Sequence, residues 1–145
     1  MGGTELRHNV ILLPRWLRQT PRPDLVTIFF GFNDWNSGMR GPAFAAAQAD
    51  AVDRIRRATA GGSEVLVLTS CPTLENGGLL TEMAAACHDA AKHKNAGLAD
   101  ICSVFSAVPD AEKPALYATD KVHLGLKGQE TVASTVLSSI ERAVR

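Results

Sequence analysis

No charge of one sign dominates the 145 residues: 15 lysines and arginines face 15 aspartates and glutamates. That balance argues against a nucleic-acid or anionic-membrane surface, which calls for clustered excess cation. The two short arginine groups, Arg54, Arg56 and Arg57 and then Arg15, Arg18 and Arg22, sit near expected helix ends. Cations there complement the helix dipole. No run approaches the roughly twenty apolar residues of a membrane span, and the N-terminus lacks the basic-then-apolar pattern of a secretion signal. The cytoplasm is therefore the expected compartment. Cysteine is scarce: Cys71, Cys87 and Cys102 are odd in number, widely spaced and without a CxxC pair. Neither a disulfide framework nor a metal site is expected from them. His88 and His93, five residues apart on one helix, diverge too far to share a metal with Cys87, and His8 has no visible partner. With no repeat and no low-complexity tract, residues 1–145 read as a single domain.

What is present alternates in type. "DLVTIFF" (24–30), "EVLVLTS" (64–70) and "DICSVF" (100–105) are short, nearly continuous apolar runs, as expected of strands covered on both faces. Between them lie helical segments. One starts near Pro42, carries Phe44, Val52 and Ile55 at helical spacing and ends before Gly61-Gly62; another spans 79–96 and stops at Gly97. A closing amphipathic helix with Val132, Val136 and Ile140 on one face runs through "GQETVASTVLSSIERAV". An N-terminal helix over 4–19 contains Pro14, which is expected to kink or split it. The order predicts an α/β domain with a parallel sheet and right-handed crossovers, whose site lies at the carboxyl ends of the strands.

Two such ends carry candidate chemistry. In "GFNDWNSG" (31–38), Gly31 permits a sharp turn, Asn33 offers an amide donor, and Asp34 can tie the loop locally. In "DKVHLGLKG" (120–128), Asp120 stands three residues before His123, where a carboxylate can orient an imidazole and leave its other nitrogen as a base. Each alone is also an ordinary turn. Ser70 and Cys71, at the end of "EVLVLTS", are the weak in-chain candidates for a nucleophile; a strand terminus turned by Pro72 explains them equally well. Ser37 reads as turn chemistry. Trp16 is expected in the core, and Trp35, beside the Asn33 loop, is a candidate substrate contact.

Together, "DLVTIFFGFNDW" and "DKVHLGLKG" resemble the third and fifth blocks of the SGNH (GDSL-type) hydrolase family, and "ILLPRWLR" followed by "VTIFFGFND" is similar to its isoamyl acetate-hydrolysing esterase branch. The resemblance implies a flavodoxin-like three-layer sheet with helices on both faces and strand order 2-1-3-4-5. It implies His123 as general base, Asp120 as its orienting partner, and Asn33 with the backbone amide of Gly3, or of Gly2 as the poorer fit, as oxyanion donors. The substrate class implied is a small acyl ester, with no cofactor. The family's nucleophile lies in a Gly-Asp-Ser block, and the 145 residues contain none. If Gly3 is the second block, the two N-terminal strands are missing, this is a truncated domain, and the 25–30 strand becomes an edge needing cover from a second copy or a complementing fragment, the favoured readings, or from the N-terminal residues refolded over it. Two readings follow: an ester hydrolase whose serine is supplied from elsewhere, so that this chain alone is inactive, or a non-catalytic binding module on the same fold.

Overall fold

The computed structural model describes residues 3–19 and 23–143; Gly2 and Arg22 lie outside the described residues. Among the described residues three parallel strands form the sheet: β1 (Leu25–Phe29), β2 (Glu64–Leu68) and β3 (Gly97–Ala99), in the order β1-β2-β3. Val26 pairs in register with Val65, and Val67 with Leu98. Around the sheet lie α1 (Leu6–Gln19), α2 (Phe32–Asn36), α3 (Gly41–Ala58), α4 (Thr81–Lys94), α5 (Ile101–Ser106) and α6 (Leu126–Ala143). Alternation along the strands separates two cores. Ile28, Val65 and Val67 pack with Phe44, Val52 and Ile55 of α3, Met83 and Cys87 of α4, and Leu6 and Val10 of α1. Leu66, Leu68 and Ala99 pack on the opposite face with Ile101 and Phe105 of α5, against Val132, Val136 and Ile140 of α6. The three-layer α/β arrangement is the one expected, on a sheet of three strands.

Several expectations are corrected. "DICSVF" is not a strand: β3 ends at Ala99, and Asp100 caps α5 by accepting the Ser103 N–H at 3.1 Å. The Thr69 hydroxyl fixes that turn further, accepting the Cys102 N–H at 2.8 Å. The helix before β3 stops at Asn95, whose φ of 48° reverses the chain, and Gly97 already belongs to β3. Arg56 donates to the carbonyls of Lys94 and Asn95 there, so this arginine is a cap for α4. Pro14 is accommodated within α1, which runs unbroken. Trp16 is 42% exposed and is not a core residue. Among the described residues no helix is long and apolar enough to cross a membrane.

Candidate functional site

The chain leaves β1 through Phe30 and turns at Gly31, whose φ of 144° is a conformation side chains rarely adopt. Space imposes the same choice, because a Cβ on Gly31 would lie 1.7 Å from the Ser70 hydroxyl oxygen. That hydroxyl donates to the Phe30 carbonyl at 3.0 Å and locks the end of β1 to the end of β2. The turn opens α2, with the Trp35 N–H donating to the Gly31 carbonyl at 2.8 Å.

Onto α2 the N-terminal segment is fastened residue by residue. Asn33 Nδ2 donates to the Thr4 carbonyl at 3.2 Å, Asp34 Oδ1 accepts the Leu6 N–H at 2.8 Å, and the Ser37 hydroxyl donates to Glu5 Oε1 at 2.6 Å. Asp34 is fully buried, and its second oxygen has no partner among the described residues. Burial pushes its carboxyl above the usual range, whereas the Ser37 hydrogen bond holds Glu5 below it. Gly3, with φ 76°, thereby comes to rest beside Asn33 at the rim of one cavity.

The third wall is the loop before α6. A single antiparallel bridge between Tyr117 and Leu124 closes it, with the Ala118 N–H donating to the His123 carbonyl at 2.8 Å. The Tyr117 hydroxyl donates to the Pro72 carbonyl at 2.9 Å, which anchors the loop to the chain after β2. Within it, Asp120 Oδ1 accepts the N–H groups of Val122 (3.0 Å) and His123 (2.9 Å), and Oδ2 lies 2.6 Å from His123 Nδ1. The bond from the His123 ring, followed by the two amides, draws the Asp120 carboxyl down to about 2. A carboxylate at Nδ1 selects the Nδ1–H tautomer and leaves Nε2 as the free acceptor.

These three pieces enclose a cavity of about 580 Å³, lined by Gly3, Phe29, Asn33, Cys71, His123 and Leu124 among others. His123, Asn33 and Gly3, far apart in sequence, thus meet around one volume. Asp120 stands behind His123, and Asp34 behind the loop. Trp35 does not line the cavity; it packs against Phe32, with the Arg40 guanidinium 5.7 Å from its ring. Cys71 does line it, but burial pushes its thiol up to about 12, far from a thiolate at neutral pH. Ser70 is buried, with its hydroxyl committed to Phe30. His88 pairs with Asp100 at 3.0 Å outside the cavity, and among the described residues no group of three metal-binding side chains converges. The apolar walls Phe29 and Leu124, and the fastening role of Thr4, carry no local sequence signal. Only the alternation of β1, which turns Phe29 to the face opposite Ile28, hints at the first.

The architecture recurs in solved structures. The lipase/acylhydrolase from Enterococcus faecalis superposes with a TM-score of 0.80 at 16% identity, covering 97% of this chain and 72% of its own. A carbohydrate esterase family 3 structure from Talaromyces cellulolyticus gives 0.80 at 17%, covering 98% and 69%. An acetylxylan esterase from Geobacillus stearothermophilus gives 0.69 at 19%, covering 95% and 68%. No curated protein matches the chain. The sequence profile of the GDSL-like Lipase/Acylhydrolase family matches residues 2–131.

Proposed function

This chain belongs to the GDSL-like lipase/acylhydrolase family, and from that premise we propose that the cavity between Gly3, Asn33 and His123 is the base-and-oxyanion half of an ester-hydrolysing site, completed by a serine from outside residues 1–145. The observation that carries it is the 2.6 Å contact between Asp120 Oδ2 and His123 Nδ1 at the mouth of the cavity that Asn33 and Gly3 line. In the first step the serine oxygen bonds to the ester carbonyl carbon, and His123 Nε2 takes the serine proton. Charge develops on the carbonyl oxygen, to which Asn33 Nδ2–H and the Gly3 N–H donate. One Asn33 proton is engaged with Thr4, which fixes the amide while the other remains available. Each such donor contributes roughly 2.7–4 kcal/mol in the transition state. The alcohol leaves with the proton from Nε2; water then bonds to the acyl carbon as His123 Nε2 takes its proton, and the serine oxygen leaves, regains that proton from Nε2 and releases the acid.

We further place the protein in the isoamyl acetate-hydrolysing branch, as a single domain acting in the cytoplasm on small acyl esters without a cofactor. The apolar Phe29 and Leu124 walls suit a short acyl or alkyl group. Fluorophosphonate labelling of the chain, alone and with a Gly-Asp-Ser segment added, tests the proposal. An adduct on the added serine that disappears with His123→Ala is the expected result. Labelling of a serine within residues 1–145 in the chain alone would overturn it.

A further inference from the structure

Among the described residues three non-glycine positions have a positive φ: Ala60, Asn95 and Lys121. Ala60 follows the C-terminal cap of α3 and Asn95 caps α4, where a left-handed residue is a common way to end a helix. Lys121 ends no helix. Its φ of 61° lies inside the turn that carries Asp120 and His123, and a residue with a Cβ keeps that conformation only where its surroundings hold it there. Those surroundings are specific. The Lys121 N–H donates to the Ala118 carbonyl at 3.0 Å and closes the turn. Its carbonyl accepts the Leu74 N–H at 3.1 Å, and its ammonium lies 2.9 Å from Glu75 Oε1. The receiving segment is itself ordered, with the Asn76 N–H donating to the Thr73 hydroxyl at 3.0 Å, and it supplies Cys71 and Thr73 to the cavity wall.

The peptide unit between Lys121 and Val122 joins the two segments. Its C=O meets Leu74, and its N–H donates to Asp120 Oδ1 at 3.0 Å. A trans peptide unit is planar, with C=O and N–H pointing opposite ways, so neither bond turns without the other. The backbone angles of Lys121 set that plane. The carboxylate that engages His123 is thus tied, through one rigid group, to the segment that walls the cavity. Resting on the function proposed above, we propose that Lys121 is a positioning residue: its left-handed backbone, through the Leu74 contact, fixes where the Asp120–His123 turn stands against the cavity and hence where His123 Nε2 reaches. The turn aligns its own histidine, and Lys121 places the turn. The backbone carries this role, because the ion pair with Glu75 joins side chains 56% and 65% exposed, and such pairs contribute little. Glycine adopts φ 61° freely and asparagine tolerates it, whereas a β-branched residue does not.

Lys121→Gly, Lys121→Asn and Lys121→Val in the whole chain separate backbone from charge, since all three remove the ammonium and only valine opposes the left-handed conformation. Amide hydrogen exchange at Leu74 and Val122 is expected to rise together by at least about tenfold in the valine chain and to stay near wild type in the other two. With the Gly-Asp-Ser segment added, the maximal rate of fluorophosphonate labelling is expected to fall roughly 10–100-fold with valine, at an unchanged half-saturating concentration, and to be retained with glycine and asparagine. Equal losses with glycine and valine, unchanged exchange in the valine chain, or faster exchange without slower labelling overturns the proposal. Should the valine chain not fold, Leu74→Pro, which removes the amide that Lys121 accepts, replaces it, and unchanged exchange at Val122 there overturns the proposal equally. A wild-type chain that the added segment never renders reactive refutes the hydrolytic reading alone, and the exchange pattern at Leu74 and Val122 still decides whether Lys121 places the turn.

Discussion

Replacing Gly31 by alanine tests the close approach on which the site loop depends. Two costs add. A non-glycine residue at φ 144° is strained by roughly 1–3 kcal/mol. The new Cβ would lie 1.7 Å from Ser70 Oγ and 2.7 Å from Ser70 Cβ, distances that real Cβ contacts do not reach, so Ser70 must move and overpacking adds roughly 1–3 kcal/mol. A loss of about 2–6 kcal/mol is expected. Since a domain of this kind is stable by about 5–15 kcal/mol, that is a large fraction of the whole. Urea unfolding followed by circular dichroism should show the midpoint fall by roughly 1–3 M for a slope near 2 kcal/mol/M. Ser70→Gly in the same chain removes both clashing atoms and leaves the Ser70 Cα, 3.5 Å away, as the nearest contact. The double-mutant cycle should then return roughly 1–3 kcal/mol of coupling, with the backbone strain remaining. A Gly31→Ala loss below about 1 kcal/mol, or a cycle with no coupling, would refute the steric account.

Asp34→Asn keeps an acceptor for the Leu6 N–H and removes a charge that burial disfavours. The carboxyl's raised folded value means its contribution is fully present below the unfolded value and lost as pH rises, so the variant should gain stability relative to wild type between acid and neutral pH, read as a difference of urea midpoints. Asp120 runs the other way: with its carboxyl drawn down to about 2, its stabilisation is present above the unfolded value near 3.9 and lost as pH falls toward about 2. The backbone amide resonances of Val122 and His123 should follow that titration, and Asp120→Asn should abolish it. Gly128→Ala places a Cβ 2.1 Å from the Leu116 carbonyl oxygen, which is backbone and yields little; a loss of roughly 1–3 kcal/mol by thermal unfolding is expected.

The strands β1 and β2 were legible because their nearly continuous apolar runs are rich in β-branched residues, and the helices α3 and α6 because their apolar spacing is long enough to show a period. "DICSVF" misled for the opposite reason: over six residues a buried apolar run fits either period, and the deciding feature, Asp100 bonding to Ser103 and Thr69, is a capping interaction seated partly on the residue that follows β2. Likewise, Asn95 ends α4 in a conformation that sequence statistics favour for glycine, so the nearby Gly97 drew the boundary too far. The Asp120–His123 pair was readable since its contacts span three residues. The fastening of Thr4, Glu5 and Leu6 onto Asn33, Ser37 and Asp34 joins positions about thirty apart and leaves no trace in either segment alone. Trp35 shows the limit of proximity in sequence. Two residues from Asn33 on a short helix, it points elsewhere, toward Arg40.

One carboxylate, that of Asp120, engages the imidazole and two successive amides of its own turn. The histidine is thus aimed by a contiguous peptide of four residues, bridged at its base by Tyr117 and Leu124. Its rotamer freedom is restricted before any substrate or nucleophile arrives, so the entropic part of aligning the base has been met during folding. Such a turn behaves as a portable cassette: its internal alignment does not require the rest of the catalytic apparatus to be in place.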